Sequence, residues 1–140
     1  MKILIAADGS EYTQHMLDYL ATHEDAFGPG QEFTVLTVVP AVPPRAAAVI
    51  DKQTLTEYYS DEAEKVLQPV RAFLEARGRK ASTCFEVGHP AEAIAKTAEK
   101  GQFGMVVMGS HGHSALRNLV LGSVATNVLA HCKVPVLLIR

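Results

Sequence analysis

Short apolar runs alternate with helix-period segments along this whole chain, the pattern of a parallel sheet covered by helices. Residues 3–7 are solidly apolar, as a central strand buried on both faces requires. Asp8 and Gly9 break that run. Ser10 stands where it can cap a helix, Glu11 suits the positive helix end, and Met16, Leu17, Leu20 and Ala21 form the buried stripe. Gly28, Pro29 and Gly30 close this first unit. Residues 33–39 form a second strand rich in β-formers. The segment from Pro40 to Lys52, with its prolines and alanine run, is expected to be a long loop.

Leu55, Tyr59, Ala63, Val66, Val70 and Phe73 then recur at helical spacing over residues 54–76, with Gly78 as the stop. Pro69 lies inside this pattern and cannot donate to the carbonyl four residues back, which predicts a kink near residues 65–69. Thr83, Phe85 and Val87 alternate with Ser82, Cys84 and Glu86, the signature of an edge strand with one wetter face. Gly88, His89 and Pro90 start a third helix whose inner face is Ala91, Ile94, Ala95 and Ala98, and Gly101 ends it. Residues 105–108 are the fourth strand, Ser123–His131 the last helix and Val136–Ile139 the fifth strand.

Right-handed crossovers fold these elements into one doubly wound, Rossmann-like five-stranded α/β sheet with helices on both faces, expected in the order 3-2-1-4-5 as a single domain over residues 1–140. Such sheets bind ligands beyond the carboxyl ends of their strands, where the winding reverses. Two ends meet that condition: Asp8 after the first strand and Gly109 after the fourth.

A chain of 140 residues is long enough to bury about 68–70 per cent of its unfolded surface in one core. The formal net charge of −2 and the scattered Lys and Arg residues give no footprint for nucleic acid or for an anionic membrane. The N-terminus carries no signal-type apolar region, and no run of 18 apolar residues occurs, so a cytoplasmic protein without a membrane span is expected. Cys84 and Cys132 lack metal-binding spacing and are expected to be two buried thiols.

The chemistry concentrates between Met105 and Ser123. Gly109, two residues, Gly112, nine residues, Gly122 and Ser123 follow an apolar strand and lead into a helix. Missing side chains let backbone approach phosphate closely, including at positive φ, and the unpaired amides at a helix start favour anions. The spacing is neither G-x-x-x-x-G-K-[ST] nor G-x-G-x-x-G. His111 and His113 have no third metal ligand nearby, which argues against zinc. Gly112, His113, Ser114 and Ala115 begin like a nucleophile elbow, but Leu116 replaces its second glycine. Ser110 and Ser114 are read as hydrogen-bond donors, and His15, His23, His89 and His131 as surface or capping residues.

The G-x-x-G, nine residues, G-[ST] pattern closely resembles that of the ATP-binding members of the universal stress protein family. Asp8, Gly9 and Ser10, then Gly88, Pro90, Ala91, Glu92 and Ile94, then Val134, Pro135 and Val136 extend the resemblance over nearly the whole chain. The resemblance implies ATP, with Mg2+, in the crevice of a dimer built through the last strand. Asp8 would lie by the ribose and the metal-phosphate region, Val38 would meet adenine through its backbone, and Gly109, Gly112, Gly122, Ser123 and Val124 would hold ribose and phosphates. His113 departs from a position often basic in the family, and Arg117 is a candidate substitute cation. No residue set supplies base, nucleophile and transition-state cation together. The function expected is therefore a nucleotide-dependent stress-response regulator, acting on an unidentified protein partner, with slow hydrolysis at most. The alternative is a dimeric interaction module without nucleotide.

Overall fold

The computed structural model describes residues 1–113 and 118–140. Its elements run β1 (Lys2–Ala6), α1 (Glu11–Thr22), α2 (Glu24–Phe27), β2 (Glu32–Val39), α3 (Pro44–Ala47), α4 (Lys52–Glu75), β3 (Ala81–Val87), α5 (Pro90–Lys100), β4 (Met105–Gly109), α6 (Ser123–His131) and β5 (Val136–Ile139). The five strands form one sheet in the order β3-β2-β1-β4-β5, and every neighbouring pair is parallel. This is the expected order.

Successive residues of a strand point to opposite faces, so β1 divides its side chains between two cores. Ile3 and Ile5 pack with Met16 and Leu20 of α1 and with Leu67 and Leu74 of α4. Leu4 packs on the other face with Leu36, Val106 and Met108, under Ile94 and Ala98 of α5 and Val128 of α6. Burial on both sides explains why β1 and β4 are apolar without alternation, whereas β3 at the sheet edge carries the exposed Phe85 and Val87.

Several expectations need correction. The long connection after β2 contains the short helix α3, and α4 begins at Lys52, where the Asp51 carboxylate accepts from Thr54 N–H at 3.0 Å. That bond favours the charged carboxylate and holds the Asp51 pKa below its ordinary value. The fully buried row of α4 is Ala63, Leu67, Val70 and Leu74; Leu55, Tyr59, Val66 and Phe73 flank it, half-buried. Pro69 is exposed and lies inside α4, which continues through the predicted kink as one element of 24 residues. The two cysteines are free and half-buried rather than fully buried. Partial burial, followed by the neighbouring Glu86 carboxylate, pushes the Cys84 thiol pKa up. Among the described residues no helix is long and apolar enough to cross a membrane.

Candidate functional site

Three strand ends converge where the winding reverses, and each ends differently. The Leu36 carbonyl accepts from Ala7 N–H at 3.0 Å, and the Val39 carbonyl from Gly88 N–H at 3.0 Å. Backbone groups along β2 therefore alternate between β1 and β3. By that alternation the N–H and C=O of Val38 point to the β1 side, beyond Ala6↔Leu36, the last register pair of that ladder. Thr37 and Val39 point the other way. Val38 thus presents a donor and an acceptor side by side over the end of β1, with no hydrogen-bond partner for either among the described residues.

Beyond β1, the Asp8 carboxylate has two separate employments. Its Oδ1 accepts from Ser10 N–H at 2.9 Å and from the Thr13 hydroxyl at 3.1 Å, while Thr13 Oγ1 accepts from the amides of Asp8 and Gly9 at 3.2 and 3.1 Å. Thr13, not Ser10, therefore ties down the start of α1. Ser10 occupies the cap position, but its buried hydroxyl makes no hydrogen bond. With Oδ1 committed to the turn, Oδ2 faces Gly112, where an added Cβ would lie 2.8 Å from it.

The glycines of the motif are required for space, not for handedness. Positive φ occurs at Gly9, Gly30, Gly78 and Gly88, but not at Gly109, Gly112 or Gly122. A Cβ at Gly109 would stand 2.7 Å from Tyr12 Cβ, and one at Gly122 would stand 3.1 Å from His111 Cα. The segment after β4 is thus pressed against α1 on one side and the start of α6 on the other.

His111 holds that segment together. Its Nε2 meets the Leu119 carbonyl at 2.8 Å and its Nδ1 meets Ser110 Oγ at 2.8 Å. A carbonyl only accepts, so Nε2 carries a proton, and in the neutral ring Nδ1 accepts from the Ser110 hydroxyl. The ring also packs on Tyr12, with centroids 4.9 Å apart. His113 Nε2–H donates across the crevice to the Asp8 carbonyl at 2.6 Å, so its imidazole joins the two lips. Arg117 and Ser114 lie outside the described residues.

At the start of α6 the Gly122 amide is already used, donating to the Ser110 carbonyl at 2.8 Å. The next three amides, of Ser123, Val124 and Ala125, have no acceptor among the described residues, and no side chain caps the helix. Unpaired donors at the positive end of a helix can receive anionic oxygens. Among the described residues Asp8 brings a carboxylate to Gly112, and no group of three His, Cys, Asp or Glu residues that could hold a metal exists. The arrangement can hold an anion by main-chain donors, and a hard cation only if the anion supplies further oxygen ligands.

Sequence reasoning brought Asp8, Val38, Gly109, Gly112, His113, Gly122, Ser123 and Val124 to these three strand ends and the helix that faces them. It missed Tyr12, Thr13 and the clamp made by His111. The one local signal for them was the spacing of Thr13 from Asp8 at the first turn of α1.

The universal stress protein family model matches residues 1–140. This chain belongs to the universal stress protein family. It is 30% identical over 156 residues to the universal stress protein YxiE of Bacillus subtilis, covering 99% of this chain and 98% of that one. It is 33% identical over 139 residues to the universal stress protein Slr1230 of Synechocystis; that match covers 99% of this chain but 42% of the longer relative. A match to MJ0577 of Methanocaldococcus jannaschii spans about half of that protein's length, 52%, and 64% of this chain. By structure, MJ0577 superposes with a TM-score of 0.81 at 30% identity, covering 99% of this chain and 94% of that one. Universal stress proteins solved in complex with cAMP and with dAMP share the fold at 20% identity, with TM-scores of 0.71 and 0.69.

Proposed function

We propose that this universal stress protein binds an adenine nucleotide, ATP accompanied by Mg2+, in the crevice between the ends of β1, β2 and β4. The observation that carries the reading is the outward-facing backbone pair of Val38. Side by side, one N–H and one C=O match an acceptor and an adjacent amino donor on the adenine edge, and they face the side of β2 from which β1 has withdrawn. The phosphates then lie toward Gly112 and the unpaired amides of Ser123, Val124 and Ala125. Asp8 Oδ2 faces the same space, and a bare carboxylate there would repel a polyphosphate. A divalent cation sharing Asp8 and phosphate oxygens turns that repulsion into attachment. That proteins of this family and fold hold cAMP and dAMP supports the adenine assignment.

Among the described residues, nothing in the crevice combines a nucleophile, a general base and a cation aimed at a transferring phosphoryl group. The carboxylate nearest the phosphates already serves a turn through Oδ1. The nucleotide acts as an ordering ligand in a regulator of the stress response: it stabilises the closed crevice and the 40–51 connection through its preference for that state. A protein partner reading that segment would sense the nucleotide. β5 ends one edge of the sheet, and its pairing with the same strand of a second copy would cover that edge. Isothermal titration with Mg-ATP and Mg-GTP tests the reading. ATP should bind at one per chain and GTP, whose base presents the reverse donor-acceptor pattern to Val38, should bind far more weakly. Equal affinity, or no heat with either, would refute it.

A further inference from the structure

At the opposite end of the sheet, a hollow of about 540 Å³ opens beside the N-terminal ends of β2 and β3. The 28–30 turn forms one wall and Arg77, Arg79 and Lys80 the other. Arg79 is the unusual member. Its side chain is 7% exposed, and of its donors Nη1 gives one hydrogen bond, to the Leu20 carbonyl at 3.1 Å. Its Nη2 is sealed from bulk water and has no hydrogen-bond partner. The nearest carboxylate, Glu24, stands 3.8 Å away on a side chain that is 72% exposed. A guanidinium cannot give up its charge, so burying it with donors unmet is costly and calls for an acceptor anion. Gln31 lines the same hollow, and its buried Oε1 lacks a donor. One wall therefore wants an anionic oxygen and another wants an O–H or N–H.

We infer that this hollow is a second ligand site, separate from the nucleotide crevice, which takes a small oxyanion that also carries an O–H group, of the hydrogenphosphate type. The anionic oxygens meet Arg79, supported by Lys80, and the O–H donates to Gln31 Oε1. Glu24 is the built-in competitor. It sits close enough to turn inward and occupy Arg79 when no oxyanion is present, and its exposure leaves it free to move away. Inorganic phosphate has this chemistry in its hydrogenphosphate form, and a monoester such as glycerol 3-phosphate has it through a hydroxyl of its alcohol.

The experiment follows backbone amides of residues 28–34 and 77–82 by two-dimensional NMR, in the full chain without nucleotide. The probes are inorganic phosphate, glycerol 3-phosphate and sulfate at matched ionic strength. The inference expects saturable shifts with phosphate at least threefold tighter than with sulfate, which has no O–H to offer Gln31 at neutral pH. A stronger response to glycerol 3-phosphate would assign the site to monoesters, and a weaker one to free phosphate. Glu24→Gln, an exposed change that leaves the fold intact, should tighten phosphate binding severalfold by removing the competitor, and Gln31→Leu should erase the preference over sulfate. Arg79→Gln should abolish the response. Non-saturable shifts, equal response to sulfate, or a Glu24→Gln protein that loses thermal stability without gaining phosphate affinity would overturn the inference. The last result would make Glu24 the permanent counter-ion of Arg79. Because the readout lies at the far end of the sheet and uses no nucleotide, its failure is independent of the crevice reading.

Discussion

Replacing Gly112 and Gly109 one at a time by alanine separates the cost of the site from the cost of the fold. At Gly112 the new Cβ would meet Asp8 Oδ2 at 2.8 Å, the far end of a side chain. Relief requires that oxygen to retreat by roughly half an ångström, and at worst one of the two bonds to Oδ1 is weakened, about 1 kcal/mol. Stiffening of the unfolded chain returns about 0.4–1 kcal/mol. Gly112→Ala should therefore melt within about 4 °C of the parent. At Gly109 the Cβ would meet Tyr12 Cβ at 2.7 Å and the His111 carbonyl at 3.2 Å. No rotamer moves a Cβ, so α1 or β4 must shift, at about 1–3 kcal/mol, or roughly 4–12 °C. Differential scanning fluorimetry and titration calorimetry with Mg-ATP read the two effects. Gly112→Ala should keep its melting temperature and lose at least about tenfold in affinity, close to 1.4 kcal/mol. Gly109→Ala should be visibly destabilised before any ligand is added. A Gly112→Ala protein that binds ATP like the parent, or a Gly109→Ala protein that melts like it, would refute the reasoning.

Other consequences follow from the same geometry. His111→Phe keeps the ring against Tyr12 but loses the bonds to Ser110 and Leu119, so urea denaturation should show a loss of about 1–2 kcal/mol, and hydrogen exchange at the Gly112 and Leu119 amides should quicken; unchanged exchange would remove the clamp. Leu74→Ala empties a fully buried position in α4, the helix that packs on β2 and β3, and should cost about 2–5 kcal/mol in the same assay. Asp51 caps α4 with its pKa lowered, so its contribution is present above the pKa of the unfolded chain and is lost as pH falls through the folded one. The difference in melting temperature between the parent and Asp51→Ala should close at acid pH; a constant gap would show that the charge is not involved. Cys84, with its thiol pKa raised, should be alkylated slowly near pH 8 and faster as pH rises, as mass spectrometry of the labelled peptide would show.

The order of the sheet was legible because burial on two faces leaves an unbroken apolar run, and burial on one leaves alternation. β1 and β4 show the first, and the edge strand β3 the second; β5, at the other edge, is an apolar run that is mostly half-buried. The last helix, read as roughly Ser123–His131, and the last strand, Val136–Ile139, lie where expected, since Gly122 and Pro135 mark their starts. The buried row of α4 was less legible. Two apolar rows run side by side along that helix, and only the angle at which it crosses β2 and β3 selects Leu67 and Leu74 over Val66 and Phe73. In the crevice, the glycine positions were plain, but the reason for them was not. Tyr12 and His111 crowd the glycines from elements distant in sequence, and no local pattern announces such a contact. Val38 came from the family resemblance alone; the hydrogen-bond alternation along β2 turns its backbone groups to the β1 side and those of Thr37 and Val39 to the other, a one-residue difference invisible without the ladder.

The central claim is that main-chain groups at the ends of β2 and at the start of α6 receive an adenine nucleotide. Titrating isotopically labelled protein with Mg-ATP, while following the amides of Val38, Gly112, Ser123 and Val124, tests it most directly. Those four signals should move together and saturate at one nucleotide per chain. Signals that stay in place at saturating ATP, or that yield to shifts confined to another face of the sheet, would contradict it.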